Sequence, residues 1–157
     1  MNINAKIIAK ILINKCHELG REITNLKLQK LLYFAQGHYT QEHNGSFLFE
    51  DDFEAWAHGP VVPNVYGNYK GYSWYNLPNQ SIDFDVDSNI NNFLDKLLKY
   101  YGASDGKELE IVSHDEQPWR NARGTLNDYM PSTNKITKIS ISNYYKEKDT
   151  LNGLIRL

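Results

Sequence analysis

Residues 56–66 read Trp-Ala-His-Gly-Pro-Val-Val-Pro-Asn-Val-Tyr, and this string constrains the fold more tightly than any other part of the chain. Glycine opens backbone geometry that other residues resist, while proline fixes φ and withholds its N–H. Gly59-Pro60 therefore reads as a corner that breaks whatever precedes it. Pro63 suits the first turn of a helix, where a missing N–H is harmless. Upstream, residues 47–57 alternate: Phe53, Ala55 and Ala57 fall on one side and Glu54, Trp56 and His58 on the other, the period of a short strand. Downstream, Val62, Val65, Tyr66 and Tyr69 give a helix its apolar side, and Gly67 and Gly71 weaken and end it.

Elsewhere the periodicity is helical. Ile3, Ile7, Ile8, Ile11, Leu12 and Leu19, with Cys16 on the same face, predict an amphipathic helix over 3–19. Asn2 or Asn4 can cap its start and Gly20 suits the position after its end. Thr24 caps a second helix of about twenty residues. Leu28, Leu31, Leu32, Ala35 and Tyr39 form its stripe, and Asn44-Gly45 ends it. The short link between the two predicts an antiparallel helical hairpin. Residues 72–86 lack a period and read as a long loop. Ile90, Phe93, Leu94, Leu97, Leu98 and Tyr101 predict a helix over 88–101, closed by Gly102. Ser104 is a candidate cap for another, reaching about Ser113. Pro118-Trp119 opens a short helix to Ala122, residues 124–135 are loop, 136–139 a short strand, and 141–147 helical. There is no internal repeat and no linker. The expectation is a mainly α fold: a single compact helical domain over 1–157, with a small β element near the Gly-Pro corner.

A chain of 157 residues buries roughly 68–70% of its unfolded surface without staples. One cysteine, Cys16, rules out an internal disulfide framework and fits a reducing compartment, so the expected location is the cytoplasm. Lys6, Lys10, Asn14 and Lys15 interrupt the first apolar residues, against a signal peptide. No stretch approaches the ~18–20 apolar residues of a membrane span.

The net charge of −2 conceals an uneven layout. Residues 1–45 carry six Lys/Arg against three Asp/Glu, residues 46–95 one against eight, and residues 96–157 ten against eight. An acidic middle third repels phosphate, making nucleic acid a poor partner for that region and a basic protein a good one. The same third holds eleven of the twenty aromatics. Tyr66, Tyr69, Tyr72, Trp74 and Tyr75 crowd ten positions, and each buried phenol would need a hydrogen-bond partner. Tyr66 and Tyr69 are assigned to the core; Tyr72, Trp74 and Tyr75 are candidates for an interface, together with Trp56 and His58 at the corner and the acidic Asp83 and Asp85.

A second unusual string, Ser-His-Asp-Glu-Gln-Pro-Trp-Arg-Asn-Ala-Arg, occupies residues 113–123. Histidine beside carboxylates is raw material for acid–base work or metal binding. Yet no zinc pattern is present, and His17, His38, His43 and His58 form no paired array. The residues favour a structural cluster, with Arg120 and Arg123 as a clamp on Asp115 or Glu116. No metal and no cofactor is expected. Lys6, Lys10, Lys27 and Lys30 read as a solvated face.

These two strings, with Leu-Gln-Lys-Leu-Leu-Tyr-Phe-Ala-Gln at residues 28–36, make the chain resemble the Panacea (SocA-like) antitoxin family, also known as phage-associated GepA-like proteins. The segments fall in the family's order, and the resemblance spans roughly residues 3–147. It implies a cytosolic bacterial or prophage protein, not an enzyme, that neutralises a cognate protein toxin by binding it, the toxin being encoded alongside. It makes Gly59, Pro60, Val62, Pro63, Tyr66, His114, Glu116, Pro118 and Trp119 family-motif residues, which the residue types read as structural. Three rivals stand beside this reading: an adaptor delivering a bound toxin to a protease, a hydrolytic or metal-dependent enzyme using His114 and Glu116, and a DNA-binding regulator that reads with the second helix through Lys6, Lys10, Lys27 and Lys30.

Overall fold

The computed structural model describes residues 3–156. Helix α1 spans Ala5–Glu18 and α2 spans Asn25–Glu42. Both start at predicted caps: Asn4 accepts from Ile7 N–H and Thr24 from Lys27 N–H, satisfying donors that a helix start leaves open. Asn2, the other candidate cap, lies outside the described residues. Gly20 follows α1 at φ +68°.

The expectation for α2 needs correcting. Its apolar stripe is buried as predicted, but so are Lys27, Gln29, Lys30, Gln36 and His38. The cause is tertiary. α2 is the central helix, wrapped by α1 and by elements that come later in the chain, so its polar side has no solvent to face.

β1 (Phe53–Trp56) and β2 (Gly59–Val61) form an antiparallel hairpin with Trp56 opposite Gly59. The chain therefore reverses at Ala57-His58, one step before the predicted break, and Gly59 and Pro60 are strand residues. Gly59 holds φ +104°, and a Cβ there would stand 2.7 Å from Lys30 Cε and 2.9 Å from Ser113 Oγ. Only glycine meets both demands. Pro60 is tolerated because β2 is an edge strand in the order β2-β1-β3. β3 is just Lys135–Ile136, with Ile136 opposite Phe53. It stops short of the predicted 136–139 because Thr137 caps the next helix, accepting from Ser140 N–H.

Pro63 opens α3 (Pro63–Tyr69), which tightens into a 3₁₀ turn at Lys70–Tyr72. Residues 74–87 run without helix or strand. In them Ile82, Phe84 and Val86 pack on the core while Asp83, Asp85 and Asp87 face solvent. The segment is pinned along α1: Asn14 and the Gln80 backbone exchange hydrogen bonds of 2.8 and 2.7 Å, and His17 Nε2 lies 2.6 Å from Leu77 O. Asp87 caps α4 (Ser88–Tyr101). α5 (Gly106–His114) is capped by Asp105 rather than the predicted Ser104, in a reciprocal box with Glu108. α6 (Gln117–Arg123), α7 (Lys138–Lys146) and α8 (Leu151–Arg156) complete the chain. α7 lies tightly on α2: a Cβ at Gly37 would stand 2.5 Å from the Tyr145 ring. The fold is mainly α, with a small antiparallel sheet at the corner.

Candidate binding site at the hairpin tip

The polar residues of α2 explain how the corner is held. Lys30 Nζ donates to Pro60 O at 2.8 Å, and Gln29 Oε1 accepts from Val62 N–H at 2.9 Å. These bonds fill the outer edge of β2, which would otherwise offer itself to another strand. Gln29 is itself fixed by donating to Asn25 Oδ1 at 3.0 Å. Lys30 is fully buried, and burial pushes its ammonium down to about 7 although nearby Glu110 opposes the shift. Lys27 is also buried, donating to Gly102 O at 2.7 Å. Neither lysine is on a solvated face. Helix α2 therefore presents neither of these two lysines to a DNA groove.

Residues 113–123 grip the hairpin from β1. Trp119 Nε1 donates to Trp56 O and Arg123 Nη1 to Ala55 O, each at 2.8 Å. Arg123 also donates to Asn127 O and Met130 O, and its guanidinium lies 4.8 Å from the Trp119 ring. The predicted clamp on a carboxylate is thus wrong for Arg123, which binds carbonyls. Arg120 alone reaches carboxylates, Asp115 at 3.7 Å and Asp128 at 3.9 Å, in exposed pairs. His114 stacks on Trp119, centroids 4.1 Å apart, and burial lowers its pKa. Pro118, buried, stands in the first turn of α6.

Glu116 points elsewhere. Its Oε1 accepts from Tyr33 and Tyr145 hydroxyls, both at 2.8 Å, and Lys148 Nζ stands 3.3 Å from Oε2. Burial raises its pKa against the pull of Lys148. Next to this cluster, His38 Nε2 lies 2.8 Å from the Tyr101 hydroxyl and Nδ1 lies 3.1 Å from Gln41 Oε1. Gln41 Nε2 donates to Tyr145 O and Lys148 O, leaving Oε1 as acceptor. Nδ1 of His38 must then carry the proton and Nε2 accept from Tyr101. Glu116 and His114 have separate partners, so the acid–base pair of the enzyme reading is not assembled.

Of the aromatic and histidine candidates for partner binding, the structure places His58 at the exposed hairpin tip and Tyr72, Trp74 and Tyr75 exposed after α3. His58, in the turn, is exposed, with Nδ1 3.1 Å from Glu110 Oε1. Trp56 donates to Glu54 Oε1 and meets Tyr66 edge-on at 4.9 Å. Ser73 takes φ +53° and ψ −121°, an arrangement disfavoured for any residue with a Cβ, and leads into Trp74. Trp74 and Tyr75 are 77% and 65% exposed and stacked at 5.8 Å. An open groove of ≈ 650 Å³ runs between the tip, the start of α2 and the start of α5, lined by Leu26, His58, Tyr66, Lys70, Trp74 and Glu110 among others.

The structure thus brings His58, Tyr66 and Trp74 together in one groove, with Trp56 packed on Tyr66. Tyr72 and Tyr75 are exposed in the same segment as Trp74, while Tyr69 is buried as predicted and donates to Gln80 Oε1. Tyr66, assigned to the core by its spacing, is instead half-buried in the groove wall, because it packs against Trp56 at the hairpin and not into the core cluster. Asp83 and Asp85 do not line this groove; Asp85 lines a separate depression with Ile3, Val86, Asp87 and Ile90. Sequence reasoning missed Lys70, which lies between Tyr66 and Trp74, and Leu26, Lys107 and Glu110, which join the site from α2 and α5. Among the described residues, no group of three or more His, Cys, Asp or Glu could hold a metal ion, and no helix is long and apolar enough to cross a membrane.

Residues 28–120 match the family described as antitoxin SocA-like, Panacea domain. The chain is 32% identical over 131 residues to the antitoxin SocA of Caulobacter vibrioides (strain NA1000 / CB15N), an alignment that covers 75% of this chain and 69% of that one. No solved structure matches it. The matched stretch begins at the α2 motif, contains the hairpin and ends within α6, so it holds most of the clamp just described. This chain belongs to the Panacea domain family of SocA-like antitoxins.

Proposed function

We propose that this antitoxin neutralises a cognate protein toxin by direct binding, with the groove at the hairpin tip as the contact surface. The observation that carries the reading is the contrast between two sets of residues. The motif side chains Gln29, Lys30, Tyr33, Glu116, Trp119 and Arg123 are engaged inside the protein, holding the hairpin and the helices around it. Trp74, Tyr75 and Tyr72 instead stand 77%, 65% and 42% exposed around or beside the groove. Large rigid aromatics give contact area at small entropy cost and are the usual anchors of protein interfaces. In this reading the chain acts in the cytoplasm, by binding and not by catalysis, on a toxin encoded beside it. Asp83 and Asp85, on the α1 side, act through the long-range field that guides a basic partner in.

Co-expression of the neighbouring gene product with the antitoxin tests this. Wild-type antitoxin restores growth; Trp74→Ala and Tyr72→Ala, each keeping native circular dichroism, weaken the complex by about 2 kcal/mol or more and lose the rescue. Full rescue by both variants would place the toxin elsewhere.

A further inference from the structure

Glu110 is 5% exposed, yet its carboxylate lines the groove. Each oxygen has one cationic or imidazole neighbour: His58 Nδ1 lies 3.1 Å from Oε1 and Lys107 Nζ 3.4 Å from Oε2. Both neighbours are surface side chains, 75% and 70% exposed. Both distances exceed the roughly 2.7–2.9 Å of a well-formed charge-assisted hydrogen bond. The buried carboxylate is therefore covered by groups free to leave it. Lys30 is buried close enough to feel the charge of Glu110, but its ammonium bonds Pro60 O and its pKa of about 7 leaves it only part of a counter-charge near neutrality. Two aromatic side chains, Trp74 and Tyr66, line the same groove. A buried carboxylate beside aromatic faces fits a flat cation, and ≈ 650 Å³ lies within the roughly 300–1,000 Å³ of ligand pockets.

We infer that the groove receives an arginine side chain of the toxin, its guanidinium donating in plane to both oxygens of Glu110 and its face lying on Trp74. This rests on the reading that the toxin binds here, and adds the chemistry it presents. Arginine fits better than lysine because its planar fork matches both carboxylate oxygens and stacks on a ring, whereas an ammonium is a point charge. His58 and Lys107 swing aside into solvent. Asp105, at the same mouth, adds negative charge; Lys70 and Lys107 oppose it and disfavour a partner that offers positive charge without the fork.

The probe is N-acetyl-arginine amide, titrated into the full chain while the Trp74 indole signal is followed by NMR, with the lysine and citrulline analogues as controls. The expected result is a saturable shift with the arginine compound, about tenfold weaker or absent with the other two, and weakened about tenfold or more in Glu110→Gln. The arginine–citrulline comparison uses the unaltered chain, so it decides the matter even if Glu110→Gln destabilises the fold. Equal binding of arginine and citrulline compounds, or no saturable shift, overturns the inference; if Trp74→Ala still abolishes neutralisation, the groove remains the toxin surface. A normal arginine response together with full neutralisation by Trp74→Ala removes the toxin from the groove and overturns both statements.

Discussion

Gly59 has two constraints on one atom it lacks. Its φ of +104° disfavours any Cβ, and the space a Cβ would take belongs to Lys30 and Ser113. Gly59→Ala should therefore lower the denaturation midpoint by an amount equivalent to about 1–3 kcal/mol, with an unchanged slope. An unchanged midpoint would mean the corner is not under this constraint. His38 gives a second prediction. Burial pushes its pKa down to about 4 from the ordinary 6.5. Between those values the unfolded chain binds a proton that the folded chain refuses. The stabilisation is thus complete above about pH 6.5 and is lost as pH falls through 4, about 3 kcal/mol in all. Stability curves of wild type and His38→Gln should converge or cross on acidification over that range, which separates His38 from the opposite trend of Glu116. Parallel curves would contradict the assignment. At this scale Gly59 was legible and Lys30 was not. A lysine on the polar side of an amphipathic pattern reads as solvated, because periodicity carries no information about how many other elements will wrap that helix.

The elements were legible where chemistry is local. Asn4 and Thr24 stand before their helices, and Pro63 and Pro118 sit in first turns. The strand ends were not, because they depend on what lies across the sheet. Gly59-Pro60 looks like a break in isolation; pairing with β1 and bonds from Lys30 and Gln29 make it a strand. Asp105 took the α5 cap from Ser104 through the reciprocal bond with Glu108, a pairing three residues apart that the string Asp-Gly-Lys-Glu contained. The hairpin itself depends on α6. Trp119→Phe keeps an aromatic ring but removes the indole N–H that donates to Trp56 O, leaving that partly buried carbonyl without its partner at a cost of about 1–3 kcal/mol, besides the volume lost at a buried site. Amide exchange at residues 55–59 should quicken in that variant more than exchange in α4. Uniform change across the chain would show that Trp119 acts only through general packing.

Across the whole molecule, the three unusual strings converge. α2 holds the outer edge of β2, α6 grips the backbone of β1, and Glu116 ties the start of α6 to α2 and α7. Sequence showed that these strings were unusual, and their residue types pointed to structure; their meeting at one hairpin depends on contacts across dozens of positions and was not readable. The acidic middle third also changes meaning once folded. Asp52 pairs with Lys135 and Lys138, while Asp83, Asp85 and Asp87 face solvent on the segment that leads into α4, so the block is divided between two regions of the fold. The groove was half legible: the exposed aromatics stood out in a stretch without a period, whereas Glu110 lay hidden among the ordinary charges of a helix. Hydrogen exchange of the antitoxin, alone and saturated with its toxin, tests the central claim most directly. The account predicts slowed exchange at residues 56–58, 66–75 and 105–110. Protection confined to the loop at 124–134 or to α1, with those three segments unchanged, would contradict it.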